Sequence, residues 1–224
     1  MQLVSTPLVE FQRGLRGEID HNYAHGRVVL AVDGMVGAGT AAFADELARV
    51  YAETGREAFR ASMEDFHRPR AQRRQAGRDS ADGYYRDSFD YGTFRRVLLD
   101  PFRMAGSTGF QTAAFDVKRD APIVSSWQTA GADAVLIVDG PFLLRPDLRG
   151  AWNYSIYLDV AARLAYERLA IRDGRDPSPD ADSNARYIGG WQSYLADAEP
   201  FFAASAVVDN TDQAHPRRIF GDSC

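Results

Sequence analysis

Residues 27–40 read RVVLAVDGMVGAGT, and this stretch decides the fold. Its first half is a continuous apolar run rich in Val, which is typical of a strand buried on both faces of a parallel sheet. A turn with three glycines follows, and residues 41–55 then carry the pattern of a helix that ends at Gly55. This order predicts a cradle for a phosphate group, because glycines let backbone N–H groups approach an anion and the helix N-terminus adds its dipole.

Two positions depart from the full phosphate-binding pattern G-x-x-x-x-G-K-[ST]. Gly34 and Gly39 stand at its glycine positions, but Thr40 replaces the lysine and Ala41 replaces the hydroxyl residue that would bind Mg²⁺. The backbone part of the cradle is therefore present, whereas its cationic and metal-binding parts are missing. The alternative interpretation is a tight turn between strand and helix that binds no ligand.

Strands and helices alternate along the rest of the chain, which predicts a parallel sheet covered on both faces. The expected strands are residues 57–63, 133–140, 152–160 and 206–212, and the expected helices are 5–21, 92–102 (ended by Pro101), 161–174 and, with a break, 184–202. Residues 64–90 show no clean periodicity, so we interpret them as a long functional loop. The segments FQTAAFD and APIVSSW indicate a small hairpin at about 108–127. We expect one domain over residues 1–224, with its ligand at the carboxyl ends of the strands.

Composition and charge narrow the class of protein. The 224 residues are 45% hydrophobic and carry a formal net charge of −5, which argues against nucleic acid as the main partner. No apolar run reaches the roughly 18 residues of a membrane span, and no secretory signal is visible. The only cysteine, Cys224, can form no internal disulfide, and Lys118 is the only lysine among 26 basic residues. We therefore expect a cytoplasmic protein with a small-molecule ligand, and a homo-oligomer stays open.

Acidic side chains follow two of the predicted strands. Glu64 and Asp65 come directly after the second strand, where they could supply a general base or hold a metal. Asp139 ends the strand VLIV and could lie near Mg²⁺. The alternatives are that Glu64 and Asp65 pair with Arg68 or Arg70 on the surface, and that Asp139 belongs to an ordinary Asp-Gly turn.

Arg168, Arg172 and Arg175 lie on one face at the end of a predicted helix. Their guanidinium groups could close over phosphates as a lid. The alternative is a solvated face paired with neighbouring carboxylates.

The order of these motifs resembles the uridine kinase-like group of P-loop kinases, in the form common in high-GC actinobacteria. The resemblance covers roughly residues 25–212 and is carried by DFHRPR, GYYRDSFDY, LLDPF, AVLIVDGPFLLRPDLR and VVDNTD. It implies an α/β P-loop NTPase fold of the nucleoside kinase type, with a small hairpin and an Arg-rich lid at about residues 168–190. It further implies ATP as donor, Mg²⁺, and phosphorylation of a nucleoside 5′-hydroxyl.

The resemblance also assigns residues to roles. Glu64 falls on the catalytic Asp of the family, with Asp65 beside it, and Val117 replaces a His after the hairpin's Phe-Asp pair. The positions that would bind the nucleotide are Gly34, Gly37, Ala38, Gly39, Thr40, Ala41, Arg168 and Arg172. Those that would bind the acceptor are His67, Tyr84, Phe115, Asp116, Lys118 and Arg175, and Asp139 would lie at the metal.

Three functional hypotheses follow from this sequence. The first is a kinase with altered catalytic groups, in which Lys118 or an Arg replaces the lysine of the turn. The second is a pseudokinase that binds a nucleoside, a nucleotide or a protein partner and transfers no phosphate. The third is an enzyme that reuses the nucleoside pocket for other chemistry with Glu64, Asp65 or His67.

Overall fold

The computed structural model describes residues 2–104 and 106–220 and places six strands in one sheet. Cys224 lies outside the described residues. The strands of the chain are β1 Val28–Gly34, β2 Ala58–Ser62, β3 Phe115–Asp116, β4 Ala121–Pro122, β5 Val135–Gly140, β6 Tyr154–Asp159, β7 Ala206–Asp209 and β8 Arg217–Ile219. The sheet order is β2–β5–β1–β6–β7–β8, parallel throughout except for β8 at the edge. The five predicted parallel strands and the α/β fold are confirmed, whereas β8 was not predicted.

The helices cover the sheet and also occupy a region expected to be a loop. They are α1 Pro7–Asn22, α2 Thr40–Glu53, α3 Arg70–Arg73, α4 Ala81–Asp87, α5 Tyr91–Phe94, α6 Asp100–Arg103, α7 Ala162–Asp173, α8 Asp182–Ala198 and α9 Pro200–Ala203. The prediction of a long loop over 64–90 is wrong, because Ser80 caps α4 and the rings of Tyr84 and Tyr85 are buried. No helix within the described ranges is long and apolar enough to cross a membrane.

Pro101 does not end a helix as predicted. The chain continues from α5 through a π-helical turn, Arg95–Leu99, into α6. Proline has no N–H, so it leaves the carbonyl of Val97 without its helical donor. The backbone N–H of Gln111 donates a hydrogen bond to that carbonyl at 2.8 Å. The proline therefore anchors the start of the hairpin formed by β3 and β4, which pair antiparallel as the sequence predicts.

The sheet gathers the carboxyl ends of its parallel strands at one edge. Asp139 on β5 is in register with Val32 on β1 and with Ser62 on β2, and Asp159 on β6 is in register with Asp209 on β7. The glycine turn after β1, the carboxylates after β2 and the segment after β7 therefore lie along the same edge.

Replacement of Gly37 by alanine tests how closely α7 packs against the glycine turn. Gly37 has a φ of +94°, and a Cβ there would lie 2.9 Å from the carbonyl carbon of Ala165 and closer still to its oxygen. We expect Gly37→Ala to lower the free energy of unfolding by about 2 kcal/mol or more, because left-handed strain and a clash with backbone add together. Urea unfolding followed by circular dichroism measures this difference.

Gly14→Ala in α1 is the control, since nothing lies within 4 Å of a Cβ at that position. It should raise the free energy of unfolding by up to about 1 kcal/mol, because alanine is the better helix former. A Gly37→Ala protein as stable as the wild type would contradict the packing described.

Candidate functional site

The glycine turn forms an open N-terminus for α2. Gly37 and Gly39 adopt φ of +94° and +92°, and Ala38 N–H closes the turn onto the carbonyl of Met35 at 2.8 Å. Gly39 is the N-cap of α2, and no side chain of the described residues caps that end. Because the first N–H groups of a helix have no intrahelical partner, they face the carboxyl edge of the sheet as donors for an anion.

Polar side chains hold the turn from behind. Asn210, after β7, donates its amide to the carbonyl of Ala38 at 2.7 Å. Arg168 donates to the carbonyls of Asn210 and Thr211 at 3.0 and 2.8 Å and lies 3.4 Å from the carbonyl oxygen of Gly37. Arg168 therefore clamps the turn to the segment after β7, and a lid role for it stays a prediction. Asn210 lies in the motif VVDNTD but was not predicted as a site residue.

The first carboxylates of the site lie in a short 3₁₀ turn, Met63–Phe66, directly after β2. Ser62 Oγ accepts the N–H of Glu64, and the carbonyl of Asp65 accepts the N–H of Ala114 from the hairpin. The Glu64 side chain keeps 49% of its surface exposed. Loss of solvation raises its pKa, repulsion from Asp139 and Asp65 adds to this, and Arg172 and Arg175 oppose it. The pKa of Asp65 is also raised, by burial and by Asp139 and Asp116.

Asp139 has an arginine as its partner. Arg60 on β2 donates Nη2 to Asp139 Oδ1 at 2.7 Å, and Ser62 Oγ lies 3.5 Å from Oδ2. Burial raises the pKa of Asp139, while the charge and hydrogen bond of Arg60 lower it. Arg60 was not predicted from the sequence, although a single charge inside the apolar strand AFRAS is a signal that it has a buried partner.

His67 and Tyr84 border Glu64. His67 Nε2 lies 3.7 Å from Glu64 Oε2, and its ring packs edge-on against Phe89. Burial, with a smaller effect of Arg73, lowers the pKa of His67 to about 4, so it is neutral at pH 7. Its Nδ1 is buried without a partner among the described residues. The ring of Tyr84 is buried, and the charge of Glu64 adds to burial in raising the pKa of its hydroxyl.

The side chains of the hairpin have different surroundings. Phe115 is buried, and Asp116 Oδ1 accepts the N–H groups of Lys118 and Arg119 at 2.9 and 3.0 Å. Lys118 is exposed, and its charge acts on Asp173 at the end of α7. None of the contacts among residues 2–104 and 106–220 joins Lys118 to the glycine turn.

Two of the predicted lid arginines lie near Glu64. Arg172 donates to Asp173 at 2.8 and 2.7 Å, and Arg175 stacks 4.6 Å above the ring of Tyr187. The charges of both arginines lower the pKa of Glu64. Beside them a groove of about 470 Å³ opens between the ends of α7 and α8, lined by Gly174, Arg175, Asp176, Ser183, Asn184 and Tyr187.

The structure thus brings one group of predicted residues together and leaves others apart. Glu64 is the centre, close enough to interact electrostatically with Asp65, Asp139, Tyr84, Arg172 and Arg175. Arg168 is engaged behind the turn and Lys118 lies at the outer side, near Asp173.

Mg²⁺, which the resemblance implies, does not fit the residues at its expected position. Ala41 offers no side-chain oxygen, and Asp139 is already paired with Arg60. Within the described part of the chain, no three His, Cys, Asp or Glu side chains are grouped so that they could hold a metal ion.

Comparison with known proteins identifies the fold. A "possible uridine kinase" from Bacillus stearothermophilus matches with a TM-score of 0.67 at 21% identity, over 89% of this chain and 96% of that one. A "putative fructose transport system kinase" from Silicibacter sp. TM1040 matches with a TM-score of 0.63 at 25% identity, over 88% and 94%. Phosphoribulokinase from Rhodobacter spheroides matches with a TM-score of 0.54 at 15% identity, over 82% and 70%. The chain has the P-loop kinase fold.

Comparisons at the level of sequence find no match. No protein-family model matches the chain, and no curated protein does so.

A buried carboxylate that the sequence did not predict supports the turn. Asp33 precedes Gly34 and is fully buried, where it accepts hydrogen bonds from the hydroxyl of Tyr194 and the N–H of Leu143. The Tyr194 hydroxyl in turn accepts the N–H of Leu144. Burial raises the pKa of Asp33 to about 7, and these hydrogen bonds oppose the shift. The cluster joins β1, the segment after β5 and α8.

Tyr194→Phe tests this cluster. We expect it to lower the free energy of unfolding by about 1–3 kcal/mol, because Asp33 loses a donor and Leu144 an acceptor. The folded pKa of Asp33 lies above its unfolded value of 3.8, so its contribution to stability is lost as the pH rises from that value to about 7. The ionised carboxylate of Asp33 depends most on the Tyr194 hydroxyl. The loss of unfolding free energy in Tyr194→Phe should therefore be larger at pH about 8 than at about 5.

Urea unfolding at both pH values measures the effect. Tyr51→Phe is the control, because the hydroxyl of Tyr51 is also buried but has no partner among the described residues. Its loss should leave stability unchanged or raise it, because no hydrogen bond is removed, and the effect should be the same at both pH values. A Tyr194→Phe deficit that does not depend on pH would show that Asp33 does not ionise in this range.

Proposed function

We propose that the carboxyl edge of the sheet, between the glycine turn and Glu64, forms a cleft that binds a nucleoside or nucleotide, and that the protein transfers a phosphoryl group from ATP to a hydroxyl of this ligand, as uridine kinase-like proteins do. One observation carries the proposal. The open N-terminus of α2 and Glu64, with Arg172 and Arg175 near it, lie at the same edge of the sheet. This arrangement supports a site that combines donors for phosphate with a proton acceptor.

The chemistry assigned to each group follows from its type. The N–H groups of the turn bind the phosphates of the donor, and the two arginines offset the charge of the transferred group. The acceptor hydroxyl loses its proton to Glu64, its oxygen forms the new bond to the γ-phosphorus, and the bond to the bridging oxygen breaks to release ADP. A raised pKa suits Glu64 to this role, because a base works best when its pKa lies near the working pH. The rings of Tyr84 and Tyr187 pack edge to face beside these groups, with 4.9 Å between their centroids.

Glu64→Gln tests the assignment of the base. The amide keeps the shape of the carboxylate but cannot take a proton, so we expect phosphoryl transfer to fall by about a hundredfold or more. Ligand binding should change little, and the loss of wild-type rate in acid should disappear from the pH profile. ³¹P NMR with ATP and a panel of nucleosides measures transfer, and calorimetry measures binding.

Asp65→Asn is measured beside it, since Asp65 is the other carboxylate of the pair. Glu10→Gln in α1 is the matched control, because that side chain is 57% exposed and far along the chain from the cleft. If Glu64→Gln leaves transfer unchanged and Asp65→Asn abolishes it, the base is Asp65. Unchanged transfer in both variants would overturn the proposal.

A second candidate function is binding without transfer. Thr40 and Ala41 favour it, because they remove the charge and the hydroxyl that the turn of an active kinase directs at the phosphates. Lys118, at the outer side of the lid, does not replace that charge. In this case the protein is a pseudokinase for a nucleoside or nucleotide.

Thr40→Lys with Ala41→Thr separates the two candidates. Each restored charge-assisted contact is worth about 1.5–3 kcal/mol, so ATP should bind at least about tenfold more tightly. Thr54→Lys is the matched control, because it adds the same charge at the other end of α2. Unchanged ATP affinity in the double variant would show that the turn is not the nucleotide site. Transfer that begins only in the double variant would establish the wild type as a binding protein.

The remaining assignments rest on sequence. A single domain, a cytoplasmic location and the actinobacterial form of the group stay predictions, as does a small molecule in preference to nucleic acid as the partner.

A further inference from the structure

We propose that Arg60 is a built-in counter-ion at the phosphate end of the cleft and that phosphate-bearing ligands bind there without Mg²⁺. The inference rests on the proposed function in one respect, namely that the ligand carries phosphate. It assigns a role to a residue that none of the sequence motifs contains.

The contacts of Arg60 join three elements. From β2 its guanidinium donates Nη2 to Asp139 Oδ1 on β5 at 2.7 Å and Nη1 to the carbonyl of Ile137 at 2.8 Å. Nε donates to Asp45 on α2 at 2.9 Å, and Nη2 lies 3.4 Å from the carbonyl oxygen of Ala41. The cation is thus fixed beside the first turns of α2, next to the glycine turn.

This placement occupies Asp139. One carboxylate oxygen bonds Arg60 and the other lies 3.5 Å from Ser62 Oγ, and the side chain is only 4% exposed. A metal ion at Asp139 would compete with Arg60 for this carboxylate, and removing one partner of such a buried pair leaves an uncompensated charge. Ala41 supplies no oxygen to compensate for that loss.

The electrostatic consequence concerns the ligand. An unpaired carboxylate at this edge would repel a phosphate, and a divalent cation is the usual means of offsetting such a charge. A guanidinium is always protonated, so Arg60 offsets the charge of Asp139 at every working pH and without a metal. Arg60 therefore acts through Asp139, as a positioning residue, and its expected signature is the metal dependence of binding.

Calorimetry of the wild-type protein with ADP is the first test. ADP should bind with a dissociation constant that differs by less than about threefold between excess EDTA and excess Mg²⁺. Binding that is about tenfold or more tighter with Mg²⁺ would overturn the inference.

Arg60→Gln is the second test, and it should create the metal dependence that the wild type lacks. Without its partner, Asp139 should weaken ADP binding in EDTA by about tenfold or more and should gain affinity for Mn²⁺, which electron paramagnetic resonance detects. Mg²⁺ should restore part of the lost ADP affinity. Equal ADP affinity of Arg60→Gln and wild type in EDTA would overturn the inference.

Arg13→Gln is the matched control. The Arg13–Glu53 pair has side-chain exposures of 19% and 8%, close to the 23% and 4% of Arg60 and Asp139, but it joins α1 to α2. This variant should leave both metal dependence and ADP affinity unchanged. If Arg60→Gln does not fold, the wild-type comparison with and without Mg²⁺ decides, and Arg60→Lys, which keeps the charge, should stay independent of Mg²⁺.

A failure of the proposed function can be told apart from a failure of this inference. If ADP binds in neither condition, the nucleotide proposal fails, and Mn²⁺ binding alone then decides the role of Arg60. No Mn²⁺ bound by the wild type, with binding gained in Arg60→Gln, would support it, whereas Mn²⁺ bound by the wild type would overturn it.

Discussion

The direction in which the peptide groups of residues 37–39 face is the constraint on which the site depends. A peptide unit carries its N–H and C=O on opposite sides. A carbonyl that accepts a hydrogen bond on one side of the turn therefore leaves the N–H of the same peptide unit facing the other side. Asn210, after β7, donates a hydrogen bond to the carbonyl of Ala38, and Arg168 on α7 donates one to the carbonyl of Gly37. The left-handed glycines make this path possible, and the amide of Gln213 fills the space where a side chain on Gly39 would stand. The N–H groups at the start of α2 then face the cleft without a lysine.

Two buried carboxylates on neighbouring strands are stabilised by different kinds of partner. Asp33 on β1 is satisfied by neutral donors, the Tyr194 hydroxyl and the N–H of Leu143, and burial raises its pKa to about 7. Asp139 on β5 is satisfied by a cation, Arg60, and so stays an effective partner for a fixed charge. The first carboxylate holds elements together, and the second sets the electrostatic potential beside the glycine turn.

The parts of the fold that sequence predicted are those set by local pattern. A continuous apolar run predicts a buried strand, and glycines before a helix predict a turn, because the causes lie within a few residues. Pro101 misled the prediction because the group that compensates for it, the N–H of Gln111, arrives from the hairpin. The ion pair of Asp139 could not be predicted for the same reason. Its partner Arg60 lies on a strand distant in sequence, and only the sheet order places β2 beside β5.

The almost complete absence of lysine among the basic residues has a structural counterpart at this site. An ammonium group has three donors on a flexible chain, whereas the planar guanidinium has five in a fixed fork. Arg60 uses that fork to reach a carboxylate and a carbonyl on β5 and a carboxylate on α2 together, and Arg168 uses it to reach carbonyls of two separate loops. Each arginine is therefore immobilised by several partners, which fixes the charge but leaves few donors for a ligand. A lysine at position 40 would have followed a phosphate through its reaction, because its stem is free to move. The charges of Arg60 and Arg168 are static, so at a phosphate beside this turn they would favour binding of the anion more than the change of charge during transfer.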